Sequence, residues 1–247
     1  MSSKAASASR NGSHPGAHLG AHRGVQDPAP PRLHAKGLLS YTALVAAGAA
    51  LLIGLAWLAS TLVAALLAWP GVMAADRAIA ESLHAHASPA AVEAMTWVSR
   101  LHGTTAILAM SALLAAWLVA RGERSLLPRL VASVPGGLLL NAALKIALHR
   151  ARPDTAYAAE RLASFSFPSG HTAGATFLYG FIVLLLWQRA RGSARAAAVA
   201  GAILMVFLVA TSRVMLGMHY ATDCAAAVAE GVAWLAICHL AARASPP

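Results

Sequence analysis

The chain has 247 residues, of which 58% are hydrophobic and only 11% charged, against the roughly 25% charged that a soluble globular domain carries. Lipid is therefore the expected solvent for most of it. The formal net charge of +10 is strung between apolar runs and forms no dense basic block, which argues against a nucleic-acid partner and for a membrane topology and an anionic substrate.

Residues 1–37 are rich in Ser, Ala, Gly, Pro and His and show no apolar periodicity, so they read as a disordered cytoplasmic tail. No apolar core follows promptly on the first charges, as a cleavable signal would need. His14, His18 and His22 recur every fourth residue, but the Gly and Pro between them disfavour the helix that would make them a metal-binding face.

Residues 38–243 read as one all-α membrane domain. Six apolar segments, near 41–68, 103–120, 128–147, 171–188, 196–212 and 222–241, approach the ~20 residues that cross a bilayer as helix, and predict a six-transmembrane-helix bundle. The second, fourth and fifth lie near the short end of that range. Between the first two, residues 69–102 carry Asp76, Arg77, Glu81, His84, His86, Glu93 and Arg100 with Ala and Leu at helix-like intervals. That pattern suits an interfacial amphipathic helix or a polar loop with helical turns. Arg121, Arg124 and Arg129 follow the second span, and Arg189, Arg191 and Arg195 the fourth. The positive-inside rule then puts both loops and both termini in the cytoplasm and turns 69–102, 148–170 and 213–221 outward. Cys224 and Cys238 both fall in the last span, about 21 Å apart on a helix, which is too far for a disulfide.

Three polar clusters sit at span borders on the outward side. Lys145 precedes Arg152-Pro153 at the end of the third span. A lysine offers phosphate a compact charge and an arginine a planar fork. Taken alone, however, this cluster is better explained by Lys145 snorkelling and by Arg150 and Arg152 balancing a helix end. Pro168-Ser169-Gly170-His171 directly precedes an apolar run and predicts a helix N-terminus. There, free N–H groups gather an anion, Ser169 adds a hydroxyl and Gly170 permits close backbone approach. A capping serine followed by a structural histidine accounts for the same residues equally well. In the third cluster Asp223 follows His219 by four residues, one helical turn away on the same face. Such a carboxylate fixes the imidazole tautomer and leaves the other nitrogen as nucleophile or base, and Arg213 can fold back over the same site. A buried, satisfied His–Asp pair is the ordinary alternative.

Taken together, Lys-x6-Arg-Pro, Pro-Ser-Gly-His and Ser-Arg-x5-His-x3-Asp, in this order, resemble the signature of the type 2 phosphatidic acid phosphatase (PAP2) superfamily. The resemblance covers roughly residues 41–241. It implies a six-helix membrane core and hydrolysis of a phosphate ester or diphosphate through a phosphohistidine, with no metal or other cofactor. It also implies His219 as nucleophile, Asp223 as its orienter and His171 as the acid for the leaving oxygen, with Lys145, Arg152, Ser169, Gly170 and Arg213 neutralising the phosphoryl oxygens. Vanadium-dependent haloperoxidases share the signature, but they are soluble, and six apolar spans speak against that reading. Glu230, two turns below Asp223 inside the last span, matches nothing in the family pattern; it is either functional or hydrogen-bonded to a neighbouring helix.

The expected protein is thus an integral membrane lipid phosphatase, in a bacterium an inner-membrane protein whose site faces the periplasm. Its expected partners are the bilayer and a membrane lipid phosphate: undecaprenyl diphosphate, phosphatidylglycerophosphate or phosphatidic acid. A lipid phosphotransferase, with an acceptor hydroxyl in place of water, is the alternative within enzymes. A non-enzymatic transporter is the alternative outside them, although transport sites sit near the bilayer midplane rather than at helix ends. Oligomeric state is left open.

Overall fold

The computed structural model describes residues 61–155, 157–158 and 164–244. The expected 1–37 tail, the domain boundary after it and most of the first apolar segment lie outside the described residues. Within them the chain is helical, with no strand. The elements are α1 (described from Thr61 to Ala68), α2 (Pro70–Ala85), α3 (Pro89–Leu101), α4 (Thr104–Ala120), a 3-10 turn at Arg124–Leu126, α5 (Leu127–Ser133), α6 (Pro135–Leu148), α7 (Gly170–Trp187), α8 (Ser193–Met215) and α9 (Ala221–Ala244).

Four stretches are long and apolar enough to cross a bilayer: Arg124–Leu148, Gly170–Trp187, Ser193–Met215 and Ala221–Arg243. They correspond to the last four predicted spans, three of them somewhat longer than predicted and Gly170–Trp187 of the same length. The 17 residues of α4 alone rise only about 25 Å. α3 precedes it at a 56° bend, and α1 and α2 meet at 64°; if each bent pair is one span, six result. Proline marks the first bend and the α2–α3 turn, while Gly103 precedes α4 at the second bend. Pro70 and Pro89 open α2 and α3, at positions where a missing N–H forfeits no intrahelical bond, and Ser88 caps α3 by accepting from the Ala91 N–H at 3.2 Å. Residues 69–102 are therefore mostly two helices, joined by a short turn at His86–Ser88.

α7 is the central helix and packs against α4, α5, α6, α8 and α9. Residues Thr172–Leu178 are all buried, and Phe177 and Leu178 join Ile107, Leu118, Leu130, Val134 and Leu235 in the main core. Large apolar side chains such as Leu113, Leu139, Ile203 and Phe207 point outward, the arrangement expected where the surroundings are as apolar as the interior. Between helices in lipid, small residues let backbones approach. At the α7–α9 crossing, a Cβ on Gly231 would lie 2.4 Å from Thr176 Cγ2 and 2.7 Å from its Cβ.

The loops define two ends. Glu123 pairs with Arg189, and Arg129 donates to the Ala242 carbonyl at 3.5 Å, so the α4–α5 turn, the α7–α8 turn and the end of α9 share one end. The arginines that set the predicted topology gather there. The three motif clusters occupy the opposite end. Replacing Gly231 by Leu is expected to overpack the α7–α9 crossing and destabilise the fold by about 1–3 kcal/mol. Thermal unfolding in detergent checks this, with Gly201→Leu, where an added Cβ meets nothing within 4 Å, expected to leave the midpoint in place.

Candidate active site

α6 ends at Leu148, and His149 follows in the left-handed region at φ 48°, turning the chain out of the helix. Lys145, in the last turn, donates from Nζ to the carbonyls of Phe165 at 3.0 Å and Ser166 at 3.4 Å. The returning chain is pinned by the Ser166 N–H on the Arg150 carbonyl at 2.8 Å. Arg152 crosses from this loop to the α8–α9 turn, donating to the Ser164 carbonyl and to the Met218 carbonyl, both at 2.7 Å. As predicted, Ser169 is the extended N-cap of α7 and Gly170 its first residue. Ser169 is buried and its N–H donates to the Asp223 carbonyl at 3.1 Å. A Cβ on Gly170 would lie 3.6 Å from Lys145 Cε, so the N-terminus of α7 abuts the lysine. His171 reaches towards the α3–α4 bend, 3.7 Å from where a Cβ on Gly103 would lie, in the field of Arg213, His219 and Arg152.

His219 lies in the turn before α9, not on the helix. Gly217, at φ 66°, makes that turn, and an added Cβ there would also fall 2.4 Å from Thr155 Oγ1. The N–H groups of Met218 and His219 both donate to the Arg213 carbonyl. The predicted shared helical face of His219 and Asp223 is thus corrected. They meet because Asp223, third residue of α9, reaches back to accept the Tyr220 N–H at 2.9 Å, the acidic half of a capping box. That places Asp223 Oδ2 3.4 Å from His219 Nδ1. On the other side of the ring, Arg152 Nη1 lies 3.3 Å from Nε2. A guanidinium only donates, so Nε2 presents its lone pair and Nδ1 carries the proton, facing Asp223. Burial holds the imidazole well below its ordinary range, at about 4, against the opposing pull of Asp223.

The structure thus links Lys145, Arg152, Ser169, Gly170, His219 and Asp223 by direct contacts or close packing, joins Arg213 through its backbone, and sets His171 beside them. It also recruits residues that the motifs did not reveal. Ser166 donates its hydroxyl to Asp223 Oδ2, and Arg213 donates to Ser99 of α3. Arg150, read from sequence as a helix-end charge, donates to Asp223 Oδ1 at 2.5 Å and to Asp76 Oδ2 of α2 at 2.9 Å. Asp76 was visible only as one acid in a helix-like stretch; Ser99 and Ser166 carried no signal. Glu230 takes the second of its two readings, accepting from Asn141 Nδ2 of α6 at 2.9 Å. Cys224 and Cys238 are free thiols. A cavity of about 510 Å³ opens beside Arg152, with Arg77, Glu81, Asp154 and Tyr220 in its wall.

Residues 126–246 match the sequence profile of the PAP2 superfamily. Phosphatidylglycerophosphatase B of Bacillus subtilis (strain 168) is 32% identical over 158 residues, covering 62% of this chain and 75% of that protein. The chain belongs to the PAP2 superfamily. Among solved structures, the crystal structure of the first transmembrane PAP2 type phosphatidylglycerolphosphate phosphatase from Bacillus subtilis matches this PAP2 protein with a TM-score of 0.68. Sequence identity is 26%, over 76% of this chain and 94% of that one. The protein is an integral membrane phosphatase of lipid metabolism.

A PAP2 phosphatase that uses the His219 Nε2 lone pair needs the ring neutral. Because the folded-state pKa is depressed to about 4 from 6.5, kcat/KM is expected to hold as pH falls through 6.5 and to drop only near pH 4. A pH–rate profile checks this; an acid limb at the ordinary histidine value would contradict it.

Proposed function

We propose that the protein hydrolyses lipid phosphate monoesters or diphosphates without a metal, through a phosphohistidine on His219. The observation that carries this reading is the two-sided contact of His219, with Asp223 on Nδ1 and the Arg152 guanidinium on Nε2. In the first step Nε2 attacks phosphorus, the P–O bond to the leaving group breaks, and His171 gives its proton to the departing oxygen. In the second, water attacks phosphorus, the P–N bond breaks, and His171 takes the water's proton; inorganic phosphate leaves and both histidines return to their starting states. Asp223 steadies the imidazole as positive charge develops on it. Lys145, Arg152, Arg213, the Ser169 hydroxyl and the N–H groups at Gly170 hold the phosphoryl oxygens. Phosphoryl transfer asks mainly for such positioning and charge stabilisation. Without a metal, these groups supply the positive charge that the phosphoryl oxygens need.

The substrate named in both Bacillus proteins, phosphatidylglycerophosphate, is the leading one here, with undecaprenyl diphosphate and phosphatidic acid as further members of the class. The site sits at the ends of membrane helices, so a lipid tail stays in the bilayer while its headgroup reaches Lys145, Arg152 and Arg213. The segregation of arginines to the other end supports an inner-membrane protein of six spans, with the site on the periplasmic face. Cysteine labelling tests the topology: positions near Pro168 should react from outside and positions near Ser193 only from inside.

Phosphate release from purified protein on a panel of lipid phosphates tests the activity and separates hydrolysis from transfer to an acceptor hydroxyl. Turnover is expected to persist in chelator. His219→Ala should abolish both turnover and phosphoenzyme. His171→Ala should slow an alkyl phosphate by about 100-fold or more but a substrate with a good leaving group far less. Strict dependence on added divalent metal, or full activity in His219→Ala, would overturn the reading.

A further inference from the structure

Arg150 lies outside the signature that identifies the family, yet its side chain forms two ion pairs at this end of the bundle. Its guanidinium bridges two buried carboxylates, Asp223 (0% exposed) and Asp76 (1%), while itself only 11% exposed. Nη1 also donates to Thr222 Oγ1 at 2.8 Å, and the guanidinium stacks 4.3 Å from the centre of the Tyr220 ring. Asp76 closes the circuit by accepting the Thr222 N–H at 3.0 Å and the Thr222 hydroxyl at 2.5 Å. α2 therefore caps the first turn of α9 with Asp76 and, through Arg150, grips the same Asp223 whose other oxygen faces His219.

We propose that Arg150 and Asp76 are positioning residues for the reaction: Arg150 holds Asp223 ionised and aimed at His219, and Asp76 holds Arg150. The inference rests on the phosphatase reading with His219 as nucleophile. The division of labour on Asp223 supports it. Arg150 occupies Oδ1, leaving Oδ2 for Ser166, the Tyr220 N–H and the His219 ring. A cation on the far oxygen also lowers the basicity of the carboxylate, so the Nδ1 proton stays on the imidazole while Nε2 attacks. Lysine is no substitute, because a compact ammonium cannot present two coplanar donors to two carboxylates. Charge counting makes the arrangement testable. Asp76, Arg150 and Asp223 sum to one negative charge. Removing Arg150 leaves two buried carboxylates with no guanidinium between them, and neutralising Asp76 as well restores the original sum.

The test uses the full-length protein in detergent or vesicles, comparing wild type, R150Q, R150K, D76N and R150Q/D76N for kcat, KM and thermal midpoint on one lipid phosphate. R150Q should lower kcat by about 30-fold, the scale of losing a charge-assisted hydrogen bond, with KM nearly unchanged. R150K should not restore it. D76N should lower kcat in the wild-type background and raise it in the R150Q background, a reversal of sign that a purely structural contact does not produce. If R150Q fails to fold, R150K keeps a cation at the position, and full activity in R150K overturns the proposal. So does wild-type kcat in R150Q, or a further fall on adding D76N to it, and in each of these cases a wild-type enzyme that releases phosphate leaves the phosphatase reading standing. A wild-type protein that releases none overturns the phosphatase reading instead.

Discussion

The site end of the bundle converges on one buried carboxylate. Asp223 has no solvent exposure, and a buried ion is tolerated only when its lone pairs are taken up by donors. The donors come from every neighbouring segment: Tyr220 from the α8–α9 turn, Ser166 from the α6–α7 loop, and Arg150 from just beyond the end of α6. Its backbone carbonyl takes a fourth, the N–H of Ser169 at the start of α7. Each bond that satisfies Asp223 therefore also fixes a segment that carries motif residues. The geometry of His219 follows from this, because the same oxygen that caps α9 is the one facing its Nδ1.

Lipid surroundings explain why the chemistry sits where it does. The middle of the bundle is closed by Phe177, Leu178 and their neighbours around α7, and by glycines such as Gly231 that let helices touch. Ions are costly there, so charged groups gather at helix ends, where backbone N–H groups and turns supply partners. Glu230 lies well inside a span, and it is met by Asn141 from the adjacent helix.

Much of this was legible in the sequence because it is local. Apolar run lengths mark the spans, Pro-Ser-Gly before an apolar run marks the start of α7, and the three motifs name the groups that meet. What escaped was set by contacts between distant parts of the chain. Asp76 meets Thr222 across 146 positions, Arg213 meets Ser99 across 114, and Ser166 meets Asp223 across 57. Residues 69–102 looked merely amphipathic, since nothing in their spacing says that one aspartate and one serine are anchors. The four-residue spacing of His219 and Asp223 pointed to the right pair for the wrong reason: a capping interaction across a turn brings them together, not a shared helical face.

Arg150 and Arg152 show why composition near a site does not identify its ligands. They are two residues apart and chemically identical, and either suits the role of phosphate clamp. Carboxylates decide between them. Arg150 is held by Asp76 and Asp223, so its charge is spent within the protein and serves to orient a neighbour. Arg152 is the one whose guanidinium meets Nε2 of His219, the atom proposed to attack phosphorus. Lys145 stands beside it with bonds to two neutral carbonyls, which aim the ammonium without cancelling its charge. A phosphate dianion can draw on a cation in the second and third situations but not in the first. On the proposed reading, the positions of the acids therefore select which of the clustered bases bind substrate.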